Sequence, residues 1–152
     1  MKIIKKILVA LLVLLVIIQF FRPEKNISTE PVATNFESET RPDTEIVAIL
    51  ESKCYDCHSN NTEYPWYAEV APVSFWIDGH IEEGKEHFNV SDWASFNAKK
   101  KAHKMEELAE EVEEGKMPED SYTWMHGNLT EEEKEKLIEW AKKVQKNLEE
   151  TE

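Results

Sequence analysis

The longest apolar stretch of the chain lies at its amino terminus. Residues 7–18 are all apolar and follow Lys2, Lys5 and Lys6. A helix of about 20 residues rises about 1.5 Å per residue and spans a hydrocarbon layer of about 30 Å. The run ends in Phe20-Phe21-Arg22-Pro23, without the small residues that signal cleavage needs. The pattern therefore predicts an uncleaved signal anchor, with a cleaved export signal as the alternative.

The anchor prediction also sets the expected location and the domain boundaries. We predict a transmembrane helix over residues 1–22, which binds the inner (cytoplasmic) membrane. Its amino-terminal lysines stay in the cytoplasm, so the rest of the chain faces the periplasm. Residues 23–42 are rich in Pro, Ser, Thr, Asn and Glu, a composition typical of a flexible tether. The folded domain is then expected over residues 43–152.

The body of the chain shows helical periodicity. Apolar residues recur at i, i+3 and i+4 over residues 98–114, and Thr130 opens a capping box ahead of a second amphipathic stretch. A short helix is predicted after Asp43 and another over residues 72–88. No segment alternates between apolar and polar residues as a strand would. The pattern predicts an all-α domain of four or five helices.

Candidate chemistry lies directly after the first short helix of the body, in Cys54-Tyr55-Asp56-Cys57-His58. The C-x-x-C-H motif is the attachment motif for c-type haem. On a helical turn, positions i, i+3 and i+4 project to one side, so two thiols can bond to one porphyrin edge while the imidazole reaches the iron. We therefore predict one covalently attached haem c, held by Cys54 and Cys57, with His58 as the proximal iron ligand.

Three other uses of a C-x-x-C pair stay open at this point. The chain has only two Cys, so a zinc site would lack a second pair of thiolates. A thioredoxin-type redox pair expects a preceding strand, whereas a helix is predicted here. A structural disulfide across two residues would add little stability. The adjacent His and the export signal favour haem.

The sixth iron ligand is harder to predict from the sequence than the proximal ligand. Met117 follows a predicted helix end in Gly115-Lys116-Met117-Pro118, and a loop thioether is a common haem ligand. We predict Met117 as the distal ligand and His103 as a less favoured alternative. If neither binds, the iron keeps an open position. Three further histidines are weaker candidates: His80, His87 and His126.

The surroundings of the haem can also be predicted. A ligating imidazole usually donates its second ring N–H to a fixed acceptor, and we expect a backbone carbonyl near Pro65 or Pro72. Flat aromatic side chains suit the walls of a haem crevice. The five tryptophans that fit this role together are Trp66, Trp76, Trp93, Trp124 and Trp140.

Charge narrows the possible partners. The chain carries 31 acidic and 18 basic residues, a net charge of −13, which is the wrong sign for binding phosphate backbones. Only four glycines are present, and no phosphate-cradling glycine motif occurs. We therefore expect no nucleic-acid or nucleotide partner. The leading interpretation is an electron carrier between redox proteins rather than an enzyme, and the alternative is a haem sensor or peroxidase with an open axial position.

The chain resembles a family of small bacterial haem-binding domains that are related to single-haem cytochromes c. The resemblance implies a cytochrome-c-like helical domain on the outer face of the inner membrane. It also implies attachment through Cys54 and Cys57, proximal ligation by His58, and a correspondence of Met117 to the Met-Pro ligand of cytochromes c. The stretches that carry the resemblance are residues 54–62, 64–67, 80–85 and 115–118.

Overall fold

The computed structural model of the chain describes residues 2–150. This part of the chain forms eight α-helices and no β-strand, so the all-helical class is confirmed and the predicted number of helices was too low. The helices are α1 (Lys2–Ile18), α2 (Thr34–Thr40), α3 (Thr44–Lys53), α4 (Tyr55–His58), α5 (Val73–His87), α6 (Ala98–Glu113), α7 (Asp120–His126) and α8 (Glu131–Glu149). Two short 3₁₀ segments cover Trp66–Glu69 and Val90–Ser95.

Helices α6 and α8 form the main packed pair of the domain. Each begins with a side-chain cap: Asn97 accepts a hydrogen bond from the Lys100 amide, and Thr130 forms the predicted capping box with Glu133. Their apolar faces meet in the core, as the i, i+3, i+4 spacing predicts. The residues buried on these faces are Ala102, Met105, Ala109, Val112, Leu137, Ala141 and Val144.

The predicted transmembrane helix is not present. Among residues 2–150, no helix is both long enough and apolar enough to cross a membrane. Helix α1 has 17 residues, or about 25 Å of rise, and Lys2, Lys5 and Lys6 lie within it. The helix stops before Gln19, whose side-chain amide pairs with the backbone of Ala71. Membrane binding through this helix was therefore a wrong prediction, and the periplasmic location stays a prediction.

The segment over residues 23–42 differs from the tether that its composition predicts. It contains α2, and Phe36 in that helix is fully buried in the main core. The Phe36 ring makes edge-to-face contacts with Trp93 at 5.0 Å, Phe88 at 5.9 Å and Trp140 at 6.0 Å between centroids. This segment is consequently part of the packed domain, which begins well before residue 43.

Candidate functional site

The C-x-x-C-H motif forms the short helix α4. The Cys54 carbonyl accepts hydrogen bonds from the amides of Cys57, at 3.2 Å, and His58, at 3.0 Å. This turn directs all three side chains toward one cavity of about 540 Å³. Cavities of about 300–1,000 Å³ are typical of ligand and cofactor sites. The structure thus brings together the three residues that the sequence assigns to haem attachment and proximal ligation.

The loop after the motif holds α4 in place by side-chain hydrogen bonds. Ser59 Oγ donates to the Tyr55 carbonyl at 2.7 Å, and Thr62 Oγ1 donates to the Asp56 carbonyl at 2.5 Å. The Glu63 amide donates to Asp56 Oδ1 at 2.9 Å. The first two bonds satisfy orphan backbone carbonyls of a very short helix, and the third ties the Asp56 carboxylate to the same loop. The turn is therefore fixed by its own loop.

His58 is oriented by a backbone carbonyl, although not by the predicted one. Its Nδ1 donates to the Phe88 carbonyl at 2.8 Å, and neither Pro65 nor Pro72 takes this role. Helix α5 ends at His87 and Phe88 is extended, so the Phe88 carbonyl is free to accept. Burial lowers the pKa of His58, which favours the neutral ring. With the proton on Nδ1, Nε2 keeps the lone pair that a metal needs.

The two thiols are unpaired and half-buried. Burial raises the pKa of Cys54 to about 12, with a further contribution from Cys57. Burial likewise raises the pKa of Cys57 to about 12, with a smaller contribution from Asp56. Thiol-exchange sites lower the pKa of their nucleophile instead. The surroundings of this pair therefore disfavour the thiol-redox interpretation.

Helix α5 touches the motif at Gly84. A Cβ atom at this position would lie 2.8 Å from the Cys57 carbonyl oxygen and 3.1 Å from Cys57 Cβ. The first distance is shorter than van der Waals contact permits, and the atom it meets is backbone. The lack of a side chain at Gly84 therefore allows α5 to pack directly against α4, the turn that carries the C-x-x-C-H motif.

We expect Gly84→Ala to destabilise the protein by about 1–3 kcal/mol, because the added methyl overpacks a backbone contact. Gly79→Ala on the same helix is the matched control, since a Cβ at Gly79 meets nothing within 4 Å. That control should raise stability by about 0.5–1 kcal/mol through helix propensity. Urea unfolding of both variants checks the prediction, and equal effects at the two glycines would refute the close approach.

Met117 borders the same cavity. Helix α6 ends at Glu113, and Gly115 follows it with a φ of +73°. The Met117 amide then donates to the Glu111 carbonyl at 3.1 Å. The Met117 side chain is 38% exposed, and Pro118 after it is buried. The structure therefore places the predicted thioether at the cavity, on a loop that is anchored on both sides.

The histidines divide into two groups. His80, His87 and His126 line the cavity. His103 does not: its side chain is 60% exposed and lies 3.2 Å from both Glu106 and Glu107. The structure thus places the less favoured alternative ligand away from the other site residues.

Most of the tryptophans do not form the walls of the cavity. Only Trp76 lines it. Trp93 is fully buried in the core, Trp66 and Trp124 are about 80% exposed, and Trp140 packs against Phe36. As a group, the tryptophans therefore do not form the haem crevice that their number suggested. Their number reflects the core and the surface as well as the site.

A protein-family model covers most of the chain. Residues 13–143 match the model of a family described as a haem-binding domain. The chain belongs to the haem-binding domain family. No curated protein and no solved structure shows a match to it.

The residues of this haem-binding domain suit the cofactor. A cavity of about 540 Å³ receives two protonated thiols, a neutral imidazole with a free Nε2, and a thioether. Among the described residues, no three His, Cys, Asp or Glu side chains cluster as a bare metal ion would require. Haem is held by a different donor set, in which axial ligands reach an iron that the porphyrin already binds. Cys54, Cys57, His58 and Met117 are the residues that would hold it.

Proposed function

We propose that this haem-binding domain attaches one haem covalently and carries electrons. Cys54 and Cys57 are the attachment residues, His58 is the proximal ligand and Met117 is the distal ligand. The observation that carries the proposal is the arrangement of α4, in which both thiols and His58 face one cavity. The Phe88 carbonyl accepts a hydrogen bond from His58 Nδ1 and so fixes the orientation of the imidazole. When bound, haem supplies an iron that alternates between Fe(II) and Fe(III).

Covalent attachment is supported by the state and placement of the thiols. Each S–H adds across one vinyl group, so that sulfur bonds to one vinyl carbon and the hydrogen goes to the other. The addition releases nothing and needs no oxidant. Two sulfurs separated by one helical turn can reach the two vinyl groups on one porphyrin edge. The free thiols of Cys54 and Cys57 are in the form that this reaction consumes.

Electron transfer is supported by the partial exposure of two residues that line the cavity. Met117 and Trp76 both line it, and their side chains are 38% and 49% exposed. A haem in this cavity would lie near the surface, where a docked redox protein could reach its edge. A loop thioether also favours Fe(II) over Fe(III), which suits a carrier.

The experiment is a spectrum of the full chain, purified from a host that attaches haem. We expect a c-type spectrum that changes reversibly on reduction, a reversible one-electron wave in voltammetry, and no peroxide turnover. The pigment should stay with the protein in acidified acetone. Colourless protein would refute haem attachment. Rapid peroxide turnover would favour the open-site alternative instead.

Met117→Ala is expected to abolish the weak absorption band at about 695 nm that reports a thioether on ferric haem. After reduction to Fe(II), the vacated position should bind CO readily. Met125→Ala is the matched control, because Met125 also lines the cavity and should leave the band intact. Survival of the band in Met117→Ala would place the distal ligand elsewhere.

A further inference from the structure

Helix α5 and the residue that follows it contact the candidate haem site at three places. His80 Nδ1 lies 2.9 Å from Glu119 Oε2, Gly84 packs against Cys57, and the Phe88 carbonyl accepts from His58. His80 and Gly84 are four residues apart, so they lie on one face of α5, and Phe88 directly follows the end of the helix. One face of α5 thus meets Cys57 and the chain just after Met117, and the end of the helix meets His58.

Glu119 lies where this contact can act on Met117. It is the residue before α7, a position where a side chain often caps the helix, yet its carboxylate makes no capping hydrogen bond. Instead the carboxylate meets His80, whose ring is also packed edge-to-face on Trp76 at 4.6 Å. Only the buried Pro118 separates Glu119 from Met117. The contact therefore fixes the loop from its carboxyl-terminal side.

We propose that His80 is a positioning residue that, through its bond to Glu119, holds Met117 in place as the distal ligand. This inference rests on the proposed ligation of iron by Met117. His80 Nδ1–H donates to the carboxylate whether or not the ring is charged. Helix α5 then holds the loop that carries the distal ligand, and Phe88 at the end of the same helix orients the proximal ligand. Loss of the bond frees the loop and makes the thioether easier to displace.

The test measures how readily added imidazole displaces the thioether in the ferric, haem-loaded protein. The displacement is monitored by the loss of the band at about 695 nm. His80→Phe keeps a ring and removes the donor, and Glu119→Ala removes the acceptor. We expect each to tighten imidazole binding about two- to five-fold, the range of a partly exposed ion pair. The double variant should show no further change, because the two residues share one interaction.

Two further variants separate positioning from other roles. His80→Asn keeps an N–H near the position of Nδ1, so it should restore imidazole affinity close to that of the unaltered protein. His103→Phe removes an exposed His that also pairs with glutamates, and it should have no effect. If His80→Asn behaves like His80→Phe, the ring itself is what matters and the inference fails.

The remaining outcomes show whether the inference alone fails or the proposed function fails as well. Additive effects of His80→Phe and Glu119→Ala, or an imidazole affinity that neither changes, would overturn the inference while the haem stays attached. Survival of the band in Met117→Ala would also overturn it, again with intact haem attachment. A colourless full chain would instead overturn the proposed function, and the inference with it.

Discussion

Replacing Cys54 and Cys57 together with Ser is expected to convert an attached haem into one that acidified acetone removes completely. The reason is covalent: with neither thioether, only axial coordination and burial hold the porphyrin, and acid breaks the iron–imidazole bond by protonating His58. The measurement is the fraction of pigment that stays with the precipitated protein. It should fall from nearly all to nearly none.

The single variants serve as the controls for this result. Cys54→Ser and Cys57→Ser should each keep one thioether and therefore keep the pigment in acid. Both serines nearly match the volume of the thiols they replace, so the fold around α4 should persist. Retention of pigment by the double variant would show that the attachment does not run through this motif.

Phe36→Ala is expected to cost about 3–5 kcal/mol of unfolding free energy, the range for truncating a fully buried aromatic residue. The Phe36 ring is 0% exposed and makes edge-to-face contacts with Trp93, Phe88 and Trp140. Its removal leaves a cavity next to the backbone that orients His58. Urea unfolding of the haem-loaded protein gives the magnitude.

Phe20→Ala is the matched control for this prediction, because Phe20 belongs to the same amino-terminal region but is 83% exposed. Its effect should stay within about 0.5 kcal/mol. If Phe36→Ala were as mild as Phe20→Ala, the segment over residues 23–42 would be the tether that its composition suggests.

Strong helical periodicity made the large elements predictable. Helices α6 and α8 each present several apolar residues on one face, and the Thr130 capping box marks where α8 begins. Helix α2 has seven residues with Phe36 as its one large apolar side chain. A single apolar residue cannot produce the i, i+3, i+4 pattern by which an amphipathic helix is recognised. Its burial depends on aromatic partners that are distant in sequence, so composition alone misassigned the segment.

The membrane prediction failed for a related reason. Hydropathy counted the apolar residues beyond Ile18 as part of one span. The structure ends α1 there and gives Gln19 a partner in Ala71. A long-range side-chain contact of this kind leaves no trace in a local average of hydropathy.

The site shows the same division between local and long-range information. The spacing of Cys54, Cys57 and His58 is local, and the structure places them together as predicted. The acceptor for His58 is a backbone carbonyl at Phe88, which carries no side-chain signature. Its only signal is the helix end at His87. The His80–Glu119 contact joins residues far apart in the chain, so no motif reveals it.

The hydrogen bonds of Asn26 show where this protein can be shortened. Its side-chain amide donates to the Ser59 carbonyl and to Thr62 Oγ1, both at 2.9 Å, and its Oδ1 accepts from Lys85 Nζ at 2.7 Å. A fragment trimmed to residues 43–152 would strip these partners from the loop after His58 and uncover the aromatic faces that Phe36 covers. For recombinant work, the smallest intact unit therefore starts upstream of Asn26.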